Sequence, residues 1–286
     1  MRRYRANQVR KNAITTENKE GRGELTLCAS VFSVVEGLYD FRPLCLILST
    51  LGLAAEHEVV AMGVGHAAVA LAASRAAPRV NVGWLIFAAF LADFLLGVFA
   101  LLGLEQASVP PEFAKRHYLL FDFPYSHGLV PLLLWGAIAG FVLSRLRRND
   151  ATRAFLVVWA LVVSHFVLDG LVHIAGLPIL GDRSPKLGLG LWNHLPLELA
   201  LETLMTVAGV VVYWKAAGRN AAWSRWGIAI FMTVLAALTW TQLFSSAPPD
   251  PSKLPPFWIL APVIFAGLAL AIDRTRAARA GTAPAY

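Results

Sequence analysis

Long apolar runs separated by short polar segments, most of them basic, organise this chain. A helix rises about 1.5 Å per residue, so roughly 20 apolar residues cross the hydrocarbon layer of a bilayer. On that criterion the pattern predicts membrane helices over residues 59–74, 82–104, 126–144, 154–177, 196–214, 227–244 and 257–272. An earlier apolar stretch, 28–55, is interrupted by Glu36, Asp40 and Arg42 and leaves too short an unbroken run to span comfortably. The expected fold class is therefore all-α: a polytopic membrane helix bundle of about seven transmembrane helices, eight if 28–55 also spans. The bundle forms one domain, 59–272. Residues 1–57 read as a basic N-terminal extension, and 273–286 as a basic, disordered cytoplasmic tail. Conventional membrane sequence begins only at Val59, which makes Met62 the expected start of translation.

Composition agrees with the pattern, at 57% hydrophobic and 15% charged residues. The net charge of +7 would suit a nucleic-acid ligand. Lys and Arg collect in cytoplasmic loops of membrane proteins, however, and here they do so in alternate loops. Arg75 and Arg79 follow the first span, Arg145, Arg147, Arg148 and Arg153 the third, Lys215, Arg219 and Arg225 the fifth, and Arg274, Arg276 and Arg279 the last. The intervening loops are longer and balance their bases with acids. The expected topology is thus a multi-pass protein of the cell inner membrane with a cytoplasmic C-terminus. No nucleic acid is expected as a partner, only membrane lipids and a lipid-like substrate. The two cysteines, Cys28 and Cys45, make neither a disulfide framework nor a metal knuckle.

The exceptions to the apolar pattern carry the chemistry. His165, Asp169 and His173 fall at i, i+4 and i+8 of the fourth span, on one helix face. Ionisable groups in hydrocarbon are costly and usually face a polar interior. On the predicted topology His66, Asp93, His127, Glu198 and Glu202 lie in the same outer half of the bundle. Histidine and carboxylate without cysteine form an N/O donor set suited to a divalent metal ion, Zn²⁺ first, with Mn²⁺ or Fe²⁺ as alternatives. His165 and Asp169, one turn apart, are the leading ligands, with His66, Asp93 and His127 completing the shell. Glu202 and His173 are expected as catalytic residues, in base or supporting roles. The bland alternative for each is an interhelical hydrogen bond that holds the bundle. His194 and Glu198 are expected near water as an ordinary helix start, and His57 and His117 in solvated loops.

Gly65-His66, Ala92-Asp93, Tyr125-Ser126-His127-Gly128 and Ser164-His165-Phe166-Val167-Leu168-Asp169, in that order, resemble a family of bacterial inner-membrane proteins, the membrane-bound metal-dependent hydrolases. The likeness covers roughly residues 62–215. It implies metal binding by His66, Asp93, His127, His165 and Asp169, and a hydrolytic activity. The chain departs from the family where a Pro-Asp-x-Asp is usual, since Leu91-Ala92-Asp93-Phe94 lacks a second acid. That departure favours one ion over two. The leading expectation is a membrane-embedded metal-dependent hydrolase whose site opens to the external (periplasmic) side, acting on a lipid or lipid-linked ester. The alternatives are an ion- or proton-coupled transporter or channel, and a non-catalytic structural membrane protein.

Overall fold

A computed structural model describes residues 63–146, 150–181, 183–244 and 247–276. The expected N-terminal extension, the doubtful span at 28–55 and the Met62 start lie outside the described residues. Within them the chain runs through α1 (Val64–Ala73), α2 (Val82–Ala89), α3 (Leu91–Leu101), β1 (Gln106–Ser108), α4 (Phe113–Arg116) and β2 (Leu120–Asp122). It continues through α5 (Leu129–Leu146), α6 (Ala151–Val172), β3 (Leu177–Pro178), β4 (Lys186–Leu187), α7 (Leu195–Ala217), α8 (Ala222–Trp240) and α9 (Leu254–Ile272).

Five of these helices, α5 to α9, are long and apolar enough to cross a membrane, α7 to α9 together with the short 3-10 turns at their ends. The pair α2 and α3 passes the same test as one span bent by 52°, which makes six. The expected seven would also count α1, which at ten residues is too short to cross alone. The all-α expectation needs a small correction as well. Two antiparallel ladders, β1 with β2 (Gln106↔Asp122) and β3 with β4 (Leu177↔Leu187), fold the predicted external loops into hairpins.

Small residues let the helices approach. A Cβ on Gly209 of α7 would fall 2.5 Å from the Ala68 carbonyl oxygen of α1. One on Gly83 of α2 would meet the Ala266 oxygen of α9 at the same distance. Bare backbone at a crossing is how membrane helices gain close packing when no hydrophobic force drives them together. Outward faces carry exposed Leu134, Phe141, Val167, Leu204 and Ile230, whereas His66, His127, His165, Asp169, Glu198 and Glu202 are buried. Apolar outside and ionisable inside is the arrangement of a membrane-embedded protein.

At the end of the bundle away from those residues, the predicted tail begins inside the fold. Asp273, fully buried, accepts hydrogen bonds from Tyr213 Oη (2.5 Å), the Val82 amide (2.8 Å) and Arg276 Nε (2.7 Å). Arg276 also donates to the Pro78 and Val80 carbonyls. This clasp ties the end of α9 to α7 and to the turn before α2. Arg276→Ala strands a buried carboxylate, so it should destabilise the protein by roughly 3–5 kcal/mol. Thermal unfolding in detergent checks this, and an unchanged midpoint would contradict it.

Candidate metal centre

Each ionisable residue of the apolar runs reaches one cavity by its place on an element. His66 lies in the first turn of α1 and Asp93 in the first turn of α3. His127 sits two residues ahead of α5, His165 and Asp169 occupy the last turns of α6, and His173 is the residue that ends α6. Glu198 and Glu202 lie in the first two turns of α7. His66, Asp93, His127, Asp169, His173 and Glu202 all line the same cavity. His165, 2% exposed, stands behind them.

The bend between α2 and α3 belongs to this site. Neither proline nor glycine occurs at Ala88-Ala89-Phe90-Leu91, so the sequence offers no conventional signal for it. The carbonyl of Ala89, the last residue of α2, accepts a hydrogen bond from His165 Nδ1 at 2.8 Å. A side chain that engages a ladder carbonyl is a known cause of a helix kink. It starts α3 afresh one residue before Leu91 and brings Asp93 toward the imidazoles.

Hydrogen bonding then fixes the imidazole tautomers. His165 Nδ1 must donate to Ala89, since a carbonyl only accepts, and His66 Nδ1 likewise donates to the Gly63 carbonyl at 3.1 Å. Ser126 Oγ gives its one hydrogen to Glu105 Oε2 at 2.6 Å, so it accepts from His127 Nδ1 at 2.7 Å. As neutral imidazoles, all three rings therefore turn a bare Nε2 lone pair inward. His127 Nε2 and His165 Nε2 are 3.2 Å apart, and neutral rings in these tautomers have no hydrogen to place between them. Asp169 Oδ2 lies 3.3 Å from His165 Nε2 and 3.6 Å from His127 Nε2, while its other oxygen is 3.2 Å from His66 Nε2. Asp93 closes the far side, 3.8 Å from His127 and 3.9 Å from His165.

These spacings fit a cation. Two donors held tetrahedrally at zinc bond lengths stand about 3.3–3.5 Å from each other. The triangle of His127 Nε2, His165 Nε2 and Asp169 Oδ2 has sides of 3.2, 3.3 and 3.6 Å. Two donor groups, His66/His165/Asp169 and Asp93/His127/His165, overlap at His165, which agrees with one compact centre. Buried His66 Nε2 has no hydrogen-bond partner of its own.

The surrounding residues divide between agreement and correction. His173 Nε2 is 3.5 Å from Asp169 Oδ2, and its ring packs on Trp192 at 3.8 Å between centroids. Trp192, in the turn before α7, is thus part of the site wall. Glu198, expected near water, is 2% exposed and keeps a buried Oε2 without a partner; Glu202 Oε2 is in the same condition. Glu202's carboxylate lies against the start of α1, where a Cβ on Gly63 would fall 2.7 Å from its Oε1. His117, expected in solvent, is half-buried at the cavity wall with its Nδ1 unpartnered, whereas His194 is exposed as expected.

Glu105 was not foreseen as a site residue. It lies in the predicted loop, where a lone acid gives no signal, yet it is 4% exposed. Burial pushes its carboxyl above the ordinary glutamate range, against the pull of hydrogen bonds from Ser126 and Tyr125. No protein-family model matches the chain, and no curated protein or solved structure is significantly similar to it.

Proposed function

We propose that this protein is a membrane-embedded metal-dependent hydrolase acting on a lipid or lipid-linked ester at the external face of the membrane. The observation that carries the reading is the convergence of three Nε2 atoms, each on a ring whose Nδ1 is engaged by an acceptor, and two carboxylates at 3.2–3.9 Å. With the rings neutral, lone pairs and anions packed at that spacing repel unless a cation joins them. His66, Asp93, His127, His165 and Asp169 would hold one divalent ion, Zn²⁺ first and Mn²⁺ or Fe²⁺ as alternatives. When bound, such an ion supplies Lewis-acid polarisation of an ester or phosphoryl oxygen and acidification of water.

The chain's own residues supply the rest. Glu202 Oε2, unpartnered and facing the cavity that the ligands line, accepts the proton of an attacking water. Close packing of Glu202 Oε1 against Gly63 and Gly65 at the start of α1 holds its carboxylate in place for that transfer. His173, braced by Trp192 and Asp169, orients Asp169 and holds a proton at Nε2. Leu168, Leu171, Leu201 and Met205 on the wall suit an acyl chain. The basic loops of the sequence orient the site outward and the C-terminus toward the cytoplasm. The resemblance to the bacterial membrane-bound metal-dependent hydrolases belongs to this proposal.

Elemental analysis of the detergent-purified protein, with a panel of lipid and phosphoester substrates, tests the reading. About one divalent ion per chain and hydrolysis of a panel member are expected. A protein without metal after reconstitution with Zn²⁺, Mn²⁺ and Fe²⁺ would overturn it. One observation favours ion transport as a second reading: the span of α2 and α3 is broken at the site, as spans of transporters are at their ion sites. Metal-dependent flux in liposomes without hydrolysis would select it.

A further inference from the structure

We propose that Glu105, acting through the hydroxyl of Ser126, is the positioning residue that makes His127 a metal ligand. The inference rests on the proposed metal centre but is argued from a separate set of contacts. Glu105 Oε1 accepts the Tyr125 amide at 2.7 Å and the Ser126 amide at 2.8 Å, and Oε2 accepts Ser126 Oγ at 2.6 Å. Three donors on two oxygens are what a carboxylate takes. A carboxylic acid would instead have to spend its hydrogen on Ser126. The serine hydroxyl has one hydrogen, and it goes to the glutamate. Only a lone pair is left for His127 Nδ1, so the neutral ring keeps its hydrogen there and presents Nε2 bare to Asp169 and His165.

Ser126 Oγ is not itself a nucleophile in this arrangement. The order is carboxylate, hydroxyl, imidazole, whereas a serine hydrolase places the imidazole between the other two. Ser126 is fully buried and does not line the cavity. The chain of contacts therefore ends on the ring rather than on a substrate. A ligating histidine commonly donates its second nitrogen to an acceptor that sets its tautomer and raises its basicity. In His66 and His165 a backbone carbonyl does this. In His127 alone of the three, the acceptor is a side chain backed by a carboxylate from another part of the chain. Glu105 follows α3, which carries Asp93, and Ser126 precedes α5. One carboxylate thus anchors the segment bearing His127 to the helix bearing Asp93.

Two readouts test this. The first is the tautomer of His127 in the metal-free protein, read from imidazole ¹⁵N shifts. The second is the Zn²⁺ dissociation constant by competition with a chelator. Wild type should show the Nδ1–H form, while Ser126→Ala and Glu105→Gln should shift His127 toward Nε2–H or a mixture. Both variants should weaken Zn²⁺ binding by about 10–100-fold. Ser126→Thr, which keeps the hydroxyl, should restore the wild-type tautomer. If Ser126→Ala does not fold, Glu105→Gln carries the test, since it preserves size and changes only the acceptor. An unchanged tautomer in folded Ser126→Ala or Glu105→Gln protein would overturn the proposal. A wild type that shows the Nδ1–H form but binds no Zn²⁺ would overturn the metal centre and leave the tautomer result to decide the role of Glu105.

Discussion

An Asp169→Ala protein should purify without the divalent ion proposed for the wild type, and its affinity for added Zn²⁺ should fall by well over 100-fold. Even residues that only support a ligand cost about 10–100-fold on removal, so loss of the anion at the centre should exceed that. Asp169 is that anion: four imidazoles face it, at 3.2 Å from His66, 3.3 Å from His165, 3.5 Å from His173 and 3.6 Å from His127. Its two oxygens divide the rings, Oδ1 toward His66 and Oδ2 toward the other three. Without it Asp93 remains the nearest carboxylate, but at 3.8–3.9 Å from two rings it cannot draw His66 into the same shell. Isothermal titration with Zn²⁺ on metal-stripped protein measures the effect. A variant that binds as tightly as wild type would remove Asp169 from the centre. Acidification should act in the same direction on wild type, because each imidazole must give up a proton to bind, so affinity falls as pH falls.

The site was legible in the sequence to the extent that it opposes its surroundings. His66, Asp93, His127, His165 and Asp169 stand out because an ionisable residue in an apolar run is expensive, and the structure brings all five to one cavity wall or just behind it. What the sequence could not show is what lies outside that contrast. Glu105 and Trp192 occur in segments where polar and aromatic residues cost nothing, so their burial depends on how the hairpins fold over the bundle end. The same blindness applies to Glu198, whose position at a helix start looks solvated until the 3-10 turn Leu191–His194 and α7 are seen packed at the cavity. Helix number was less legible than helix location. The apolar run 82–104 reads as one straight span, and the bend at Phe90 arises from a contact 76 residues away, between His165 and Ala89. No local propensity encodes such a contact. Asp273 and Arg276 were assigned to the tail by their charge. Their mutual pairing and their reach to Tyr213, Val82 and Val80 turn that charge into a buried clasp.

Glu202→Gln should separate binding from chemistry. The amide keeps the size of the carboxylate, so its packing against the start of α1 and the placement of His66 in its first turn should survive. Metal content should therefore stay at the wild-type level. What the amide cannot do is take a proton, and Glu202 Oε2 is the unpartnered atom available for that at the cavity. General-base catalysis contributes about 10²–10⁴ in rate, so kcat on a hydrolysed panel substrate should fall by that factor with KM little changed. Glu198 is the carboxylate placed to replace it: it lies one turn away on the same face of α7, and its own Oε2 is unpartnered. If Glu198 shares the role, Glu198→Gln lowers kcat by a comparable factor and the double variant adds little to either single one, because the two carboxylates then serve one proton. If Glu202 acts alone, Glu198→Gln leaves kcat within a few-fold of wild type. Full activity in Glu202→Gln protein with metal bound would show that the proton goes elsewhere, and His173 would be the next residue to replace.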